Sequence, residues 1–218
     1  MICCYIMRMI YVFLLFLSFF SCGQDPMINQ DNGSFPLENE SSLDTLVLGG
    51  GCFWCIEAVF EQVKGVVAVE SGYSGGNIPN PSYEAVCSGS SGHIEVVRLV
   101  FDTSRIDLID LYKVFFTVHD PTSRDRQGND EGQQYRSIIY YTKENQAEKA
   151  RECISELERS FIYDRKIVTE IQPLNQFYSA ESYHQDYFEN NATKAYCKLV
   201  IQPKIEKFNA VFESLKKN

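Results

Sequence analysis

Leu46-Val47-Leu48-Gly49-Gly50-Gly51-Cys52-Phe53-Trp54-Cys55-Ile56-Glu57-Ala58-Val59-Phe60 joins an apolar run to a helical pattern through three glycines. Leu46 to Leu48 read as a short buried strand, the glycines permit a tight turn, and Ile56, Ala58, Val59, Phe60 and Val63 recur at helical spacing. Cys52 therefore falls at a helix start. Unpaired N–H groups and the helix dipole favour an anion there, so a thiol pKa of ~8.5 is expected to drop into the ~3.5–7.5 range. Two thiols spaced Cys-x-x-Cys at such a turn read as a redox pair, with a structural disulfide or half a zinc site as the competing readings. A zinc site needs a second closely spaced pair of ligands, and the chain has no other Cys-x-x-Cys. His93, His119 and His184 are scattered, and each alone reads as a packing or hydrogen-bonding residue.

Further along the chain the patterns alternate. Strands are predicted at Leu46–Gly49, Gly65–Tyr73, Ile94–Phe101, Arg136–Tyr141 and Ile167–Pro173, and helices at Cys52–Val63, Leu108–His119 and Lys143–Arg159. Strand, helix, strand, strand, helix, strand is the order of a split βαβ sheet with helices on one face. The expected fold is a ferredoxin-like α+β domain, a two-layer sandwich. The stretch Asp120 to Gln134, rich in Gly, Asn, Asp and Arg, reads as a long functional loop outside the core.

Gly51-Cys52-Phe53-Trp54-Cys55-Ile56-Glu57 resembles the active-site signature of the peptide methionine sulfoxide reductase A family, which reduces the S epimer of methionine sulfoxide. Further blocks agree, in order: Ser71-Gly72-Tyr73-Ser74-Gly75-Gly76, Pro79 to Gly89 with Tyr83, Gly92-His93-Ile94-Glu95, His119 to Thr122, Gln127 to Ser137 with Asp130 and Tyr135, and Ala180 to Tyr187 with His184. The resemblance runs from about Leu46 to Phe208. It implies Cys52 as the nucleophile, Glu95 as a protonated carboxyl, Tyr83 and Tyr135 as O–H donors to the substrate oxygen, and Asp130 as the group orienting them. It also implies Phe53 and Trp54, with His184, as the substrate-binding wall. Cys52 would become a sulfenic acid, resolved by Cys55 or by Cys197, where family members with Gly at the Cys55 position use a C-terminal cysteine. Cys52–Cys55 is the preferred first disulfide, with Cys197 as relay or spare, and Cys87 and Cys153 read as packing thiols. Thioredoxin or a similar dithiol would reopen the disulfide; no metal or organic cofactor is required. The substrate would be oxidised proteins or free methionine sulfoxide.

The N-terminus is read as a targeting segment. Arg8 precedes the apolar run Met9 to Phe20, short for a membrane span but right for a signal h-region, and Ser21-Cys22-Gly23 resembles a lipoprotein cleavage site. An ordinary secretory signal or an uncleaved anchor are the alternatives. The expected organisation is a signal segment over 1–21, lipidation at Cys22, a polar tether over 22–44, and a catalytic domain over 45–218. This places the protein, exported and membrane-anchored, in the cell envelope facing the periplasm; a monomer is expected. The chain has 20 Lys and Arg against 29 Asp and Glu, with no basic stripe, which leaves no nucleic-acid signal. The basic residues near the C-terminus, including Lys204 and Lys207, read as a solvated helix face. Five cysteines follow Cys22, an odd number with one close pair, which suits catalysis better than a disulfide framework.

Two other classes compete. A tethered thioredoxin-like thiol-disulfide oxidoreductase would also carry Cys-x-x-Cys between strand and helix, but with a strand and helix before it and no use for the Asp130 block. A non-catalytic lipoprotein would need neither thiols nor polar blocks.

Overall fold

Residues 42–217 are described by the computed structural model; the signal segment, Cys22 and nearly all of the tether lie outside them. In chain order the elements are β1 (Leu43–Gly49), α1 (Phe53–Phe60), β2 (Val66–Ser74), α2 (Tyr83–Cys87), β3 (Ile94–Asp102), α3 (Leu108–Val118), β4 (Arg126–Gln127), β5 (Asp130–Glu131), β6 (Ile138–Tyr141), α4 (Glu144–Arg159), β7 (Glu170–Pro173), β8 (Phe177–Ser179), α5 (Tyr187–Asn191) and α6 (Gln202–Val211). A π-helical turn, Cys197–Ile201, leads into α6.

The main sheet runs β7-β6-β1-β3-β2-β8. β3 is antiparallel to both β1 and β2 and lies between them, so the β1–α1–β2 unit is split. Likewise β1 lies between β3 and β6, the two strands joined through α3. That is the expected ferredoxin-like core. Two short strands extend it: β7 runs parallel to β6, and β8 antiparallel to β2. No sequence pattern marks β8. Three residues are too few to show alternation, and their pairing depends on the free edge of β2.

Alternation along the strands sorts the faces. Leu46 and Leu48 of β1, Val97, Leu99 and Phe101 of β3, and Ile139 of β6 share one core with α1, α3 and α6. Val47, Val96, Ile138 and Tyr140 point to the other face and are covered by Leu174 and Phe177. Helices on one face and a thin cover on the other make the two-layer sandwich. Glu95 shares the parity of Val97 and Leu99, so the period of two turns this carboxylate toward the helices. Ser71 of β2 is likewise fully buried, against α1.

Three local expectations change. The first helix stops at Phe60, short of Val63, whose carbonyl instead accepts from Val66 N–H in a turn. Residues 120–134 are not wholly outside the core: Gln127 and Gln134 are buried, and Gln127 is satisfied by donating to Asp120 O at 2.6 Å and accepting from Asp120 N–H at 2.9 Å. Gly51, at φ +94°, lies so near Gln127 that a Cβ would come within 2.7 Å of its side chain. A side chain there would be strained by the backbone and blocked by Gln127.

Candidate active site

Cys52 is the N-cap of α1 and is only 6% exposed. The first free N–H of the helix, that of Phe53, donates to Glu95 Oε2 at 3.1 Å. Glu95, at the start of β3 and 1% exposed, thus occupies the anion position that the sequence reading gave to the Cys52 thiolate. Burial pushes the Glu95 carboxyl up to about 8, partly offset by the Phe53 N–H and reinforced by the charges of Asp130 and Cys55. At neutral pH it holds its proton.

The expected low pKa of Cys52 is corrected for the same reason. Burial, the neighbouring Cys55 and the charge of Glu95 push its thiol well up, and the helix-start N–H is spent on Glu95. Cys55 is the opposite case. A hydrogen bond from Cys52 and the charge of Lys204 draw it down to about 7 against the cost of burial. The two cysteines form one buried, interacting ionisable pair, with the Cys52 thiol pushed up by burial and the Cys55 thiol drawn down by Cys52.

Tyr196, at the end of the chain's approach to α6, closes the pair. Its hydroxyl donates to Asp130 Oδ2 at 2.8 Å and lies 3.9 Å from Cys55 Sγ. Tyr83 and Tyr135 both feel the Glu95 carboxyl, and Tyr135 also Cys52; burial raises both phenols, so they stay protonated and able to donate. Glu95, Tyr83, Tyr135, Asp130 and both cysteines are therefore brought to one place.

Phe53 and Trp54 stand where an aromatic wall is expected. Trp54 stacks on Tyr187 at 3.6 Å and 7°, and Phe53 lies 5.0 Å from the His184 ring. His184 joins the wall rather than packing apart from it. Its Nδ1 accepts the Trp54 indole N–H at 3.2 Å, which leaves the proton on Nε2. That Nε2 is buried, makes no hydrogen bond, and lies 3.9 Å from Glu181 Oε2. His93 and His119 are packing residues. His93 accepts from Gly76 N–H, and His119 links Phe115 O to Ser137.

Of the other cysteines, Cys197 is buried beside the pair and its thiol is raised by burial. Cys153 is buried, as expected for a packing thiol. Cys87 is not: it is exposed at the end of the five-residue helix α2, whose single buried residue is Val86. Among the described residues no cluster of three or more His, Cys, Asp or Glu is placed to hold a metal ion.

Sequence reading missed several contributors. Glu57, a carboxylate inside an apolar helix, is 1% exposed; it accepts from Ser71 Oγ–H at 2.9 Å and Tyr187 N–H at 3.2 Å. Its isolation among Ile56, Ala58, Val59 and Phe60 was the available signal. Glu181 accepts from Tyr73 O–H at 2.8 Å and Tyr83 N–H at 3.0 Å, fixing the base of α2. Lys204, read as part of a solvated face, is half-buried beside Tyr196.

The family model described as peptide methionine sulfoxide reductase matches residues 44–216. The chain belongs to that family. It is 50% identical over 170 residues to the peptide methionine sulfoxide reductase MsrA of Saccharolobus solfataricus, covering 78% of this chain and 95% of the relative. It is 52% identical over 168 residues to the MsrA of Campylobacter jejuni, covering 77% and 99%. The structure of methionine sulfoxide reductase A of Corynebacterium diphtheriae superposes with a TM-score of 0.64 at 36% identity, covering 72% of this chain and 78% of that one. The reductase family's fold, a mixed α+β sheet with helices packed on it, is therefore this chain's fold. A thioredoxin-like architecture does not fit the split sheet or the family match.

Proposed function

We propose that this protein reduces methionine S-sulfoxide, free or in proteins, to methionine by thiol chemistry at Cys52. The observation that carries this reading is the buried, proton-bearing Glu95 at the start of the helix that Cys52 caps, in a site lined by Phe53, Trp54 and His184. The sulfoxide methyl is held against the aromatic wall, a contact that suits a polarizable sulfur group.

Cys52 Sγ bonds to the sulfoxide sulfur as Glu95 delivers its proton to the oxygen, and Tyr83 and Tyr135 donate hydrogen bonds to the developing charge. Oxygen then passes to Cys52. The methionine sulfur is reduced by two electrons, Cys52 is oxidised to a sulfenic acid, and the thiol proton restores Glu95. Attack by a second thiol, Cys55 or Cys197, forms a disulfide and releases the oxygen as water. A thioredoxin-like dithiol reopens it by exchange, supplying two electrons and two protons. The residues present need no bound cofactor for any of these steps. Preference for the S epimer rests on family membership.

The N-terminal sequence supports export, lipidation at Cys22 and a catalytic domain tethered to the envelope membrane, facing the periplasm. Among the described residues no helix is long and apolar enough to cross a membrane.

Mixing the reduced protein with excess methionine sulfoxide, without reductant, tests the chemistry. One methionine per chain should appear with loss of two thiols. Thiol loss without methionine would contradict the reading.

A further inference from the structure

Tyr73 of β2 lies directly across from Glu95 of β3, so the two side chains stand together on the helix face of the sheet. Tyr73 is buried, and its hydroxyl turns to Glu181, donating to Oε2 at 2.8 Å. The other oxygen of the same carboxylate, Oε1, accepts the backbone N–H of Tyr83 at 3.0 Å. Both oxygens act as acceptors, the pattern of an ionised carboxylate. Glu181 thus bridges the strand position beside Glu95 to α2, the helix that carries Tyr83. That helix has five residues, with Val86 its single buried one, so its own turn is too short to hold Tyr83 in place. The base of the bridge is firm. Ala180 N–H donates to Ser71 O at 2.9 Å, and the Gln185 side chain accepts Ser71 N–H at 2.9 Å and donates to Ser71 O and Ala180 O at 3.0 Å each, which sews the chain on both sides of Glu181 to β2. His184, whose N–H donates to Glu181 O at 2.9 Å, stands between Tyr83 and Phe53, its ring 4.5 Å from one and 5.0 Å from the other.

We propose that Glu181 is a positioning residue of the oxygen-transfer step: through Tyr73 and the Tyr83 N–H it sets the Tyr83 hydroxyl in register with the Glu95 carboxyl, so that both meet the one sulfoxide oxygen. The inference rests on the proposed role of Tyr83 as a donor to that oxygen. Glu181 itself touches no reacting atom. A donor to developing charge works at about 2.7–3.1 Å, so a small shift of α2 takes the hydroxyl out of range; a misplacement of about 1 Å costs up to roughly 10²-fold in rate. The wall that receives the substrate methyl, Phe53 and Trp54, belongs to α1 rather than α2. Loss of Glu181 therefore lowers the rate of the step and leaves capture of the sulfoxide nearly unchanged.

The test is a double-mutant cycle in the full protein, reduced and mixed with methionine sulfoxide over a range of concentrations without reductant. The limiting rate of first methionine release and the half-saturating sulfoxide are read separately. Tyr83→Phe keeps the backbone N–H and loses only the hydroxyl; it should be slower by roughly 10- to 100-fold. Glu181→Ala should lose a similar factor in limiting rate, with half-saturation within about 3-fold of wild type, and should cost less than about 3-fold further in a Tyr83→Phe background. Glu181→Gln keeps an oxygen for the Tyr83 N–H and an NH₂ group to donate to the Tyr73 oxygen, and should recover most of the rate. Where Glu181→Ala alone fails to fold, the same change made in a Tyr73→Phe background leaves no buried hydroxyl unpaired and carries the cycle. Losses that multiply in full, or a wild-type rate in Glu181→Ala, would overturn the assignment. A slow Tyr83→Phe beside an unaffected Glu181→Ala strikes only Glu181. A wild-type rate in Tyr83→Phe removes the donor role of Tyr83, and the inference with it.

Discussion

Glu95 and Cys52 compete for one helix start, and the outcome sets the pH at which the first step runs. The N–H of Phe53 goes to Glu95, yet burial still lifts that carboxyl to about 8. The proton-donating form is therefore populated below about pH 8 and lost as pH rises through it. The rate of methionine release in a single turnover should fall above about pH 8 on account of Glu95. Glu95→Gln should be slower by roughly 10²- to 10³-fold and lack that alkaline limb; a variant with an unchanged rate and profile would remove Glu95 from the chemistry. The position of Glu95 was legible in the sequence, because alternation with Val97, Leu99 and Phe101 puts it on the helix face. The ionisation of Cys52 was not. It depends on which group takes the Phe53 N–H, and that partner is 42 residues away.

At the level of elements, two buried polar links hold the site in shape. Glu57 ties α1 to Ser71 of β2 and to the start of α5, where Tyr187 stacks on Trp54. Trp54 is the chain's only tryptophan, so its fluorescence reports this clamp directly. Glu57→Leu should leave the Tyr187 N–H unpaired, costing about 1–3 kcal/mol, shift Trp54 emission and raise KM for the sulfoxide more than it lowers kcat. Unaltered emission and KM in a destabilised Glu57→Leu would limit Glu57 to a packing role. The second link is His119 at the end of α3, whose Nδ1 is 2.6 Å from Phe115 O and whose Nε2 is 2.7 Å from Ser137 Oγ, which in turn meets Thr169. Burial pushes His119 down to about 4. An unfolded chain protonates it near 6.5, so this stabilising contribution is present above about 6.5 and lost as pH falls toward 4, by roughly 3 kcal/mol. The carboxyls of Glu57 and Glu95 are shifted upward and slope the other way, so the comparison must be with a variant. Thermal melts should show the advantage of wild type over His119→Gln shrinking from pH 6.5 to 4; a constant difference would mean that His119 is not held neutral. The six elements of the split sheet were legible because each carries a clear period. The Glu57 and His119 links were not, since they join segments far apart in sequence through single side chains.

The whole molecule combines a redox domain with a segment whose role is read from sequence alone. Apolar Met9 to Phe20 ahead of Ser21-Cys22 predicts that the protein fractionates with membranes and that Cys22→Ala releases it or leaves it unprocessed. Membrane association unaltered in size and amount by Cys22→Ala would favour an uncleaved anchor. The sequence shows the spacing of the three site cysteines but not their burial; the structure buries Cys52, Cys55 and Cys197 alike. The central claim, reduction of methionine S-sulfoxide at Cys52, is tested most directly by giving the purified protein and dithiothreitol each sulfoxide epimer separately. Loss of the S epimer alone, abolished in Cys52→Ser, is the predicted result. Consumption of neither epimer, with the cysteine pair still exchanging with protein disulfides, would contradict it.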